Sequence, residues 1–253
     1  MKGEAAPERI VLEMTGTDRT RFLQGQVSND VSDCAGRLVY TAMLNPQGKY
    51  LADFFVTDLG DKTLIDAHES LAPGVEKRLS LYKLRADVQV RNSGLHVQRG
   101  TGPAPEGAFA DPRHPELGWR AYTATPGTTP DTDWDAIRVT HCIPESGVEL
   151  IAMKTFILEA GFERLNGVDF RKGCYVGQEV TARMKHKTER RKGLTTVRIA
   201  GEAPPGTEIL AEGRMAGTLF TRSGDKAIAF LWFDRAKSPL QAGDATLTWP
   251  GDA

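Results

Sequence analysis

One cysteine of the chain stands in a setting that favours chemistry. Cys174 directly follows two cations, Arg171 and Lys172, in the segment RKGCYVGQE. If a helix begins at Gly173 or Cys174, its unsatisfied backbone N–H groups add a partial positive charge. Positive charge beside a thiol favours the thiolate, which acts as a nucleophile or a soft metal ligand. The pattern predicts a reactive thiol, and the alternative is a small buried hydrophobe.

The residues after Cys174 have helical spacing. A helix that starts there places Cys174, Gln178 and Thr181 on one face, with Val176 and Val180 opposite, packed against the domain. On this helix, the i, i+4 spacing of the acid and base that follow predicts an intrahelical ion pair between Glu179 and Arg183.

A basic run follows this segment. From Arg183 to Lys192 the chain carries six cations and one acid, Glu189. It is interpreted either as a solvated interdomain hairpin or as a basic rim that attracts a polyanion or an acidic partner surface. The run lacks the interleaved aromatic residues of a single-strand nucleic-acid platform, so RNA binding is the less favoured alternative.

Composition narrows the class of protein. The 253 residues include 32 Lys+Arg and 33 Asp+Glu, with 40% hydrophobic residues, which is ordinary for a globular protein of about two domains. No apolar run is long enough to span a membrane, and the N-terminus resembles neither a signal nor a transit peptide. Cys34 and Cys142 have no electropositive setting and are interpreted as structural. Three scattered cysteines predict a reducing compartment, which we take to be the cytoplasm.

The hydrophobic pattern predicts an α+β region followed by a β-rich one. The predicted elements are a helix capped by Thr17 that ends near Asn29 and Asp30, an antiparallel meander of strands at 38–44, 50–57 and 63–67, a helix capped by Ser70, a strand at 86–91 and a helix at 158–165. From Leu194 onward, short strands at 195–199, 208–211, 217–222, 226–233 and 245–249 between Pro/Gly turns predict a small all-β barrel or sandwich. We place the domain boundary near residue 193.

Several segments resemble one family. The segment KGCYVGQE (172–179), followed by Arg183, is similar to the signature of the YgfZ family of folate-binding proteins, which act in iron–sulfur cluster metabolism. Further segments agree in order, namely FLQGQVSND (22–30), LNPQGKYLADF (44–54), RLSLYKLRADV (78–88), DPRHPELGWR (111–120) and TFILEAGFERLNGVDF (155–170). The chain departs from the family at Ile157, where Pro is usual, and at Cys142, where Gly is common.

The resemblance implies the fold of the T-protein, the aminomethyltransferase of the glycine cleavage system. That fold is α+β, with two α+β subdomains and a C-terminal β-barrel around a central folate pocket. The implied domains are a folate-binding domain at 1–193 and a barrel at 194–253. Within the first, subdomain A comprises about 1–45 and 105–193, and subdomain B about 46–104.

The resemblance also implies a cofactor and its binding residues. The cofactor is tetrahydrofolate or a one-carbon derivative, Cys174 is the reactive thiol, and no metal site is expected. The implied folate-binding residues are Lys172, Tyr175, Gln178, Glu179, Arg183, Glu159, Asn29 and Asp30. The alternative for Asn29 and Asp30 is an ordinary helix C-cap, and for Glu159 a solvated helix face.

The leading hypothesis is an accessory factor that binds tetrahydrofolate and supports assembly or repair of iron–sulfur enzymes. Its partners are then iron–sulfur enzymes or assembly proteins, with no membrane and no nucleic acid. The first alternative is a folate-dependent aminomethyl transferase. The T-protein presents a pocket Asp from an Asn-rich loop, which IDAHESLAP (65–73) lacks, although Asp66, His68 or Glu69 could substitute. The second alternative is an RNA-binding module. Asp111-Pro112-Arg113 is interpreted as a structural turn with an internal ion pair.

Overall fold

The structure, a computed structural model, describes residues 2–186, 190–237 and 239–251. The strands are β1 (Glu4–Ala5), β2 (Arg9–Thr15), β3 (Val39–Leu44), β4 (Tyr50–Asp58), β5 (Thr63–His68), β6 (Gln89–Asn92), β7 (His96–Gly100), β8 (Phe109–Ala110), β9 (Trp119–Thr123), β10 (Lys192–Ala200), β11 (Glu208–Ala211), β12 (Arg214–Ser223), β13 (Lys226–Trp232), β14 (Leu240–Ala242) and β15 (Ala245–Thr248). The helices are α1 (Arg19–Gln24), α2 (Ala72–Tyr82), α3 (Trp134–Thr140) and α4 (Gln178–Lys185), with a 3₁₀ turn at Pro115–Leu117.

A five-stranded antiparallel sheet forms the centre of the first region, in the order β3-β4-β5-β2-β6. Successive residues of β3 point to opposite faces, so Tyr40 and Val39 enter two different hydrophobic cores. Both faces are covered, which is why every residue of β3 is buried. The sheet joins strands from both sides of residue 45, so its hydrogen bonds cross the predicted subdomain limit. The domain limits themselves stay predictions.

The predicted meander of β3, β4 and β5 is confirmed. The turn between β3 and β4 is closed by a hydrogen bond from the Gly48 N–H to the Asn45 carbonyl, at 2.9 Å. Gly48 adopts φ +72°, a conformation that glycine adopts without a steric penalty.

The second sheet has the order β1-β7-β9-β8, and α3 lies between it and the barrel, against β12 and β13. The side chain of Asp133 caps α3 by accepting a hydrogen bond from the Ala136 N–H at 2.9 Å. This arrangement puts the positively charged residues of β7 and β9 beside the first turn of α3.

The predicted C-terminal barrel is confirmed. Six strands close in the order β10-β13-β12-β11-β14-β15. Alternate residues of β13 point inward, so Ala229 and Leu231 are buried in the barrel core. Of the six described barrel strands, the three-residue β14 is the one without a counterpart among the predicted barrel strands.

The helices predicted near residues 17 and 158 differ from the structure in extent, and α2 has Leu71 rather than Ser70 at its N-cap. Residues 158–165 form successive turns rather than a helix, because Gly161 adopts φ +81° and interrupts the helical path. The first helix is confined to α1 and begins after Asp18, while Thr17 instead donates hydrogen bonds to the Asp87 carboxylate. The strand predicted at 86–91 forms three residues later, as β6. No helix in the described part of the chain has the length and apolar character needed to cross a bilayer.

Candidate functional site

The segment from Phe170 to Gly177, here called the signature segment, is not helical. Helix α4 begins at Gln178, four residues after Cys174, with Gly177 at its N-cap. The prediction that Cys174 occupies the first turn of a helix is therefore wrong. Gly177 adopts φ +85°, which turns the backbone out of the right-handed helical region and prevents α4 from extending back to the cysteine.

The two cations before Cys174 are used elsewhere. The ammonium of Lys172 is bound to backbone carbonyls, and Arg171 lies 3.9 Å from the Asp169 carboxylate. The helical part of the predicted positive setting is therefore absent, and the part due to Arg171 and Lys172 stays a prediction. The observed support for a reactive thiol is the exposed position of the Cys174 sulfur.

Cys174 is exposed, and the other two cysteines are not. Cys34 is 3% exposed, and burial raises the pKa of its thiol to about 11. Burial also raises the pKa of Cys142 to about 11. The structural interpretation of both residues agrees with this burial. Cys174 is the exposed thiol of the three, whereas Cys34 is buried and Cys142 is half-buried.

Lys172 anchors the signature segment from the buried side. Its Nζ donates hydrogen bonds to the carbonyl oxygens of Gln24, Val27 and Asn29 at 2.8, 2.6 and 2.8 Å. Burial lowers the pKa of Lys172 to about 8. An ammonium group has three donors, so this side chain is fully engaged with the loop that follows α1.

Asn29 and Asp30 extend this anchor. The Asn29 amide donates to the carbonyls of Tyr40 and Asn166, at 2.8 and 2.7 Å. Asp30 accepts from Ser32 and from the amide of Gln24, and these hydrogen bonds lower the pKa of Asp30. Both side chains tie the loop after α1 to the segments around it.

The other side of the signature segment is packed against the protein core. Tyr175 is buried among the residues of the larger core, and burial raises the pKa of its hydroxyl. Gly177 lies against the β3–β4 turn so closely that an added Cβ would be 2.7 Å from the Asn45 carbonyl oxygen. Gly48 faces Val180 of α4 in the same way, at 2.8 Å. The signature glycine is therefore required by backbone conformation and by close packing.

Helix α4 does not present the faces that the sequence predicts. Thr181 is 2% exposed, whereas the helical spacing predicted that it lies on the same face as Cys174. Its hydroxyl donates to the Gly177 carbonyl at 3.2 Å. Gln178 is half-buried, whereas Glu179 and Arg183 are exposed.

Glu159 lies at the junction with the barrel rather than on a helix face. Its side chain is 13% exposed, and its carboxylate is 3.6 Å from the Lys192 ammonium. Its backbone carbonyl accepts a hydrogen bond from the Leu194 N–H at 2.8 Å. The folate-binding assignments of all eight residues stay predictions.

Two cations of the basic run lie near aromatic rings of the barrel, which the sequence analysis did not predict. The Arg190 guanidinium lies 5.2 Å from the Phe233 ring centroid, and the Lys192 ammonium lies 5.7 Å from that of Phe230. Lys185 forms an ion pair with Glu163. Lys187 and Glu189, which belong to the predicted basic rim, lie outside the described residues.

Sequence reasoning missed a buried network of arginines and carboxylates. Asp66 accepts from Arg9 at 2.6 Å and from Arg120 at 3.2 Å. Asp111 accepts from Arg113 and Arg120, which confirms the predicted ion pair within Asp111-Pro112-Arg113. The sequence did carry a sign of this network, because single charged residues stand inside otherwise apolar strands. Asp66 in TLIDAH is an example.

This network bears on the aminomethyl transferase alternative. Asp66 is fully buried and already holds Arg9 and Arg120, so it is not free to polarise a folate. Asp53 is likewise saturated, since its carboxylate accepts from the hydroxyls of Tyr40 and Tyr50 at 2.9 and 2.5 Å.

Comparison with known proteins identifies the family. The sequence profile of the CAF17 C-terminal β-barrel domain matches residues 191–251. The human protein named iron–sulfur cluster assembly factor IBA57, mitochondrial, is 30% identical, with an alignment that covers 92% of this chain and 78% of the human one. The chain belongs to the IBA57 family. The predicted resemblance to iron–sulfur assembly proteins of the YgfZ type is thereby confirmed.

Other IBA57 relatives are about as similar to this chain as the human protein is. The mouse protein is 30% identical over 92% of this chain and 78% of its own length. The IBA57 homologue of Mycosarcoma maydis is 31% identical over 79% of this chain, which spans 58% of that relative. The glycine cleavage system aminomethyltransferase T of Bartonella henselae has a TM-score of 0.64 and 14% identity, covering 96% of this chain and 82% of that one. That likeness concerns the fold alone, and it confirms the predicted T-protein-like α+β architecture with a C-terminal barrel.

The comparison contradicts the predicted cytoplasmic location. The human, mouse and Mycosarcoma maydis IBA57 proteins are all named as mitochondrial. The physical reason for the error is that unpaired cysteines indicate a reducing compartment without saying which one.

Proposed function

We propose that this chain acts in iron–sulfur cluster assembly and that Cys174 is the thiol through which it acts. The observation that carries the proposal is the exposed position of Cys174 on a segment whose neighbouring residues are anchored. Lys172 fixes the segment on one side of the cysteine, and Tyr175 and Gly177 fix it on the other. An exposed thiol on a fixed backbone meets a partner at low entropic cost.

The proposed chemistry is ligation of cluster iron. Cys174 loses its proton to solvent, and its thiolate displaces one ligand from an iron of a cluster that a partner protein supplies or receives; the displaced ligand leaves with a proton from solvent. Clusters are generally held by four ligands, chiefly cysteine thiolates. Within the described ranges, no group of three or more Cys, His, Asp or Glu side chains is placed to hold a metal ion. The cluster is therefore cargo shared with an iron–sulfur enzyme or assembly protein.

Tetrahydrofolate is the proposed cofactor, and Glu159 is its proposed anchor. A half-buried carboxylate suits the adjacent N–H donors of a pterin, and Lys49 and Lys192 surround Glu159 with positive charge. Lys172, Asn29 and Asp30 would support this site indirectly, since their polar atoms already bind the chain.

The folate arm is tested by titrating a reduced folate into the purified protein while tryptophan fluorescence is recorded. Glu159→Gln should weaken binding about tenfold or more, because the amide sets an NH₂ donor against one of the two pterin N–H groups where the carboxylate has a second acceptor oxygen. Glu163→Gln is the matched control, and it should bind like the wild type. If Glu159→Gln binds the folate as tightly as the wild type, Glu159 is not its anchor. If the wild type does not bind a reduced folate, tetrahydrofolate is not the cofactor.

The thiol arm is tested in cells that lack their own IBA57 relative. Expression of Cys174→Ser should leave the activity of cluster-dependent enzymes at the level of the empty vector. Cys142→Ser, which changes a half-buried thiol, should restore that activity. Circular dichroism of both purified variants checks that they fold. Full restoration by a folded Cys174→Ser variant would exclude the thiol from the function.

A further inference from the structure

Three apolar side chains are exposed where α2 ends. Leu81, Tyr82 and Leu84 are 63%, 49% and 86% exposed, and we call them the apolar tip of α2. The other face of the helix carries Val75 and Leu79, which are buried in the core beneath it. Single apolar residues on a surface need no explanation, but several large ones within one turn indicate a contact with another molecule. The tip lies outside the signature segment, so its partner is independent of the proposed function.

Leu84 adopts a backbone conformation that leucine does not favour. Helix α2 has Lys83 at its C-cap, and Leu84 follows at φ +46°, in the left-handed region. Glycine is the usual residue at this position after a helix, because it has no Cβ to strain the backbone. A leucine that is strained and mostly exposed contributes little to the core. Strain of this kind persists where the surrounding structure fixes it, and it is concentrated at functional sites.

The turn that follows α2 is fixed by its neighbours. The Lys83 ammonium donates to the Val88 carbonyl at 2.7 Å. The Asp87 N–H donates to the Asp18 carboxylate at 2.8 Å. The Asp87 carboxylate in turn accepts from the N–H and the hydroxyl of Thr17, at 2.9 and 3.0 Å. The apolar tip is therefore presented on a backbone that is tied down on both sides.

Basic residues surround the apolar tip. Residues 76–87 contain two acids, Glu76 and Asp87, and four cations, Lys77, Arg78, Lys83 and Arg85. By helical spacing, Lys77 lies about 40° around α2 from Leu81, whereas Glu76 lies about 140° away from it. The Arg78 guanidinium carbon is 4.7 Å from the Tyr82 ring centroid. The exposed face that carries the apolar residues is therefore bordered by positive charge, and Glu76 lies away from it.

An apolar tip bordered by cations suits the surface of an anionic bilayer. There, aliphatic side chains enter the outer acyl region, tyrosine lies among the headgroups, and lysine and arginine contact lipid phosphates. The alternative partner is a protein with an apolar groove. Two observations favour lipid, since Leu84 protrudes from the surface and since lysine, present here at two positions, is depleted in protein–protein interfaces.

We propose that the apolar tip of α2 and its flanking cations bind the surface of an anionic membrane. Leu81 and Leu84 insert between the headgroups, and Lys77 and Arg85 contact the lipid phosphates. The sequence predicted no membrane partner because no apolar run is long enough to span a bilayer. Binding at the surface does not require such a run.

The test is flotation of the purified full chain with vesicles of phosphatidylcholine, either alone or with about 30% phosphatidylglycerol, in ~0.1 M sodium chloride. The chain should float with the anionic vesicles and stay in solution with the neutral ones. Raising the salt to ~0.5 M should weaken binding, because salt screens the cations. Lys77→Gln and Arg85→Gln should each weaken binding about fivefold, which corresponds to ~1 kcal/mol per basic residue. Arg214→Gln, on the barrel, should bind like the wild type.

Leu84→Gly separates binding from folding. It removes a side chain that enters the bilayer, but it supplies the residue that the left-handed position favours. Its midpoint of thermal unfolding should stay within about 3 °C of the wild type, and its binding should be about tenfold weaker. Met153→Gly is the matched control. Met153 is also exposed, at 60%, and left-handed, at φ +65°, but it lies beside the β3–β4 turn, with its Sδ 3.5 Å from the Asn45 amide nitrogen.

Three results would overturn the proposal. The first is a wild-type chain that does not float with anionic vesicles. If Leu84→Gly then also fails to restore cluster-dependent enzymes in cells, the apolar tip contacts a protein instead of lipid. The second is a folded Leu84→Gly variant that binds the vesicles as tightly as the wild type. The third is an equal loss of binding in Met153→Gly, which would indicate adhesion that does not depend on the tip.

Discussion

The Nζ of Lys172 lies 2.6 Å from the carbonyl oxygen of Val27, 145 positions earlier in the chain. Two further carbonyls, of Gln24 and Asn29, complete the coordination of this ammonium. The lysine of the signature segment therefore holds the fold together, two residues before an exposed thiol. This relationship explains how a non-helical segment can keep Cys174 in one place.

Replacing Lys172 should destabilise the protein. Lys172→Met removes the donor to three carbonyls, and hydrogen bonds from a charged group contribute about 1.5–3 kcal/mol. We expect the free energy of unfolding to fall by about 3 kcal/mol in urea titrations. Arg171→Ala is the matched control because its side chain is 96% exposed, and it should change stability by less than about 0.5 kcal/mol. Similar losses in the two variants would contradict the anchoring role.

The two glycines of the signature segment should respond differently to alanine. At Gly177, φ is +85° and an added Cβ meets the Asn45 carbonyl oxygen at 2.7 Å and the Leu44 Cβ at 2.9 Å. Left-handed backbone costs alanine about 1–2 kcal/mol, and the contacts add to that cost. At Gly173 an added Cβ meets nothing within 4 Å.

Gly177→Ala should therefore lower the free energy of unfolding by at least about 2 kcal/mol. Gly173→Ala should leave it within about 0.5 kcal/mol of the wild type. The measurement is urea unfolding followed by circular dichroism. If the Gly173 variant is the less stable of the two, the described path of the signature segment is incorrect.

Asp111 should make the protein sensitive to acid. Burial alone would raise the pKa of its carboxyl, but Arg113 and Arg120 hold it well below the ordinary 3.8. Below about pH 4 the unfolded chain takes up a proton that the folded state does not, so stability falls as the pH drops. Above that pH the contribution of Asp111 is fully present.

Asp111→Asn should therefore lower the free energy of unfolding by about 3–5 kcal/mol at pH 7, because two buried guanidinium groups lose their charged partner. The difference in the free energy of unfolding between wild type and variant should be smaller at pH 3 than at pH 7. Asp61→Asn, at an exposed turn position, is the control and should stay within about 0.5 kcal/mol of the wild type at both values. A gap that does not change with pH would contradict the role of the ion pairs.

Much of the fold is encoded in local sequence patterns. The meander of β3, β4 and β5 and five of the six barrel strands coincide with apolar or alternating runs between turn residues. The helix predicted at 158–165 failed because Gly161 at φ +81° breaks a pattern that is otherwise helical. The helix predicted from Thr17 to about Asp30 is limited to α1, because Val27 instead forms a β-bridge with Met43 of β3. Both failures are tertiary effects that override a local preference.

Sequence patterns singled out the segment around Cys174 but not its local structure. The signature segment pointed to Cys174, and the thiol is indeed exposed. The helix start predicted at Cys174 was wrong because α4 begins only after Gly177. The arginine network around Asp66 and Asp111 was not foreseen, since its members come from strands and loops distant in sequence.

The proposed function depends on a single presented thiol, and its most direct test is the alkylation of the native protein by iodoacetamide at pH 8, with each cysteine followed by peptide mass spectrometry. With a pKa of about 11, Cys34 and Cys142 have a thiolate fraction on the order of 10⁻³ and are also shielded. We predict that Cys174 is alkylated in the folded protein and that the other two react at least about 100-fold more slowly until urea is added. Protection of Cys174 in the folded protein, or labelling of Cys34 or Cys142 at the same rate, would contradict the proposed role of this thiol.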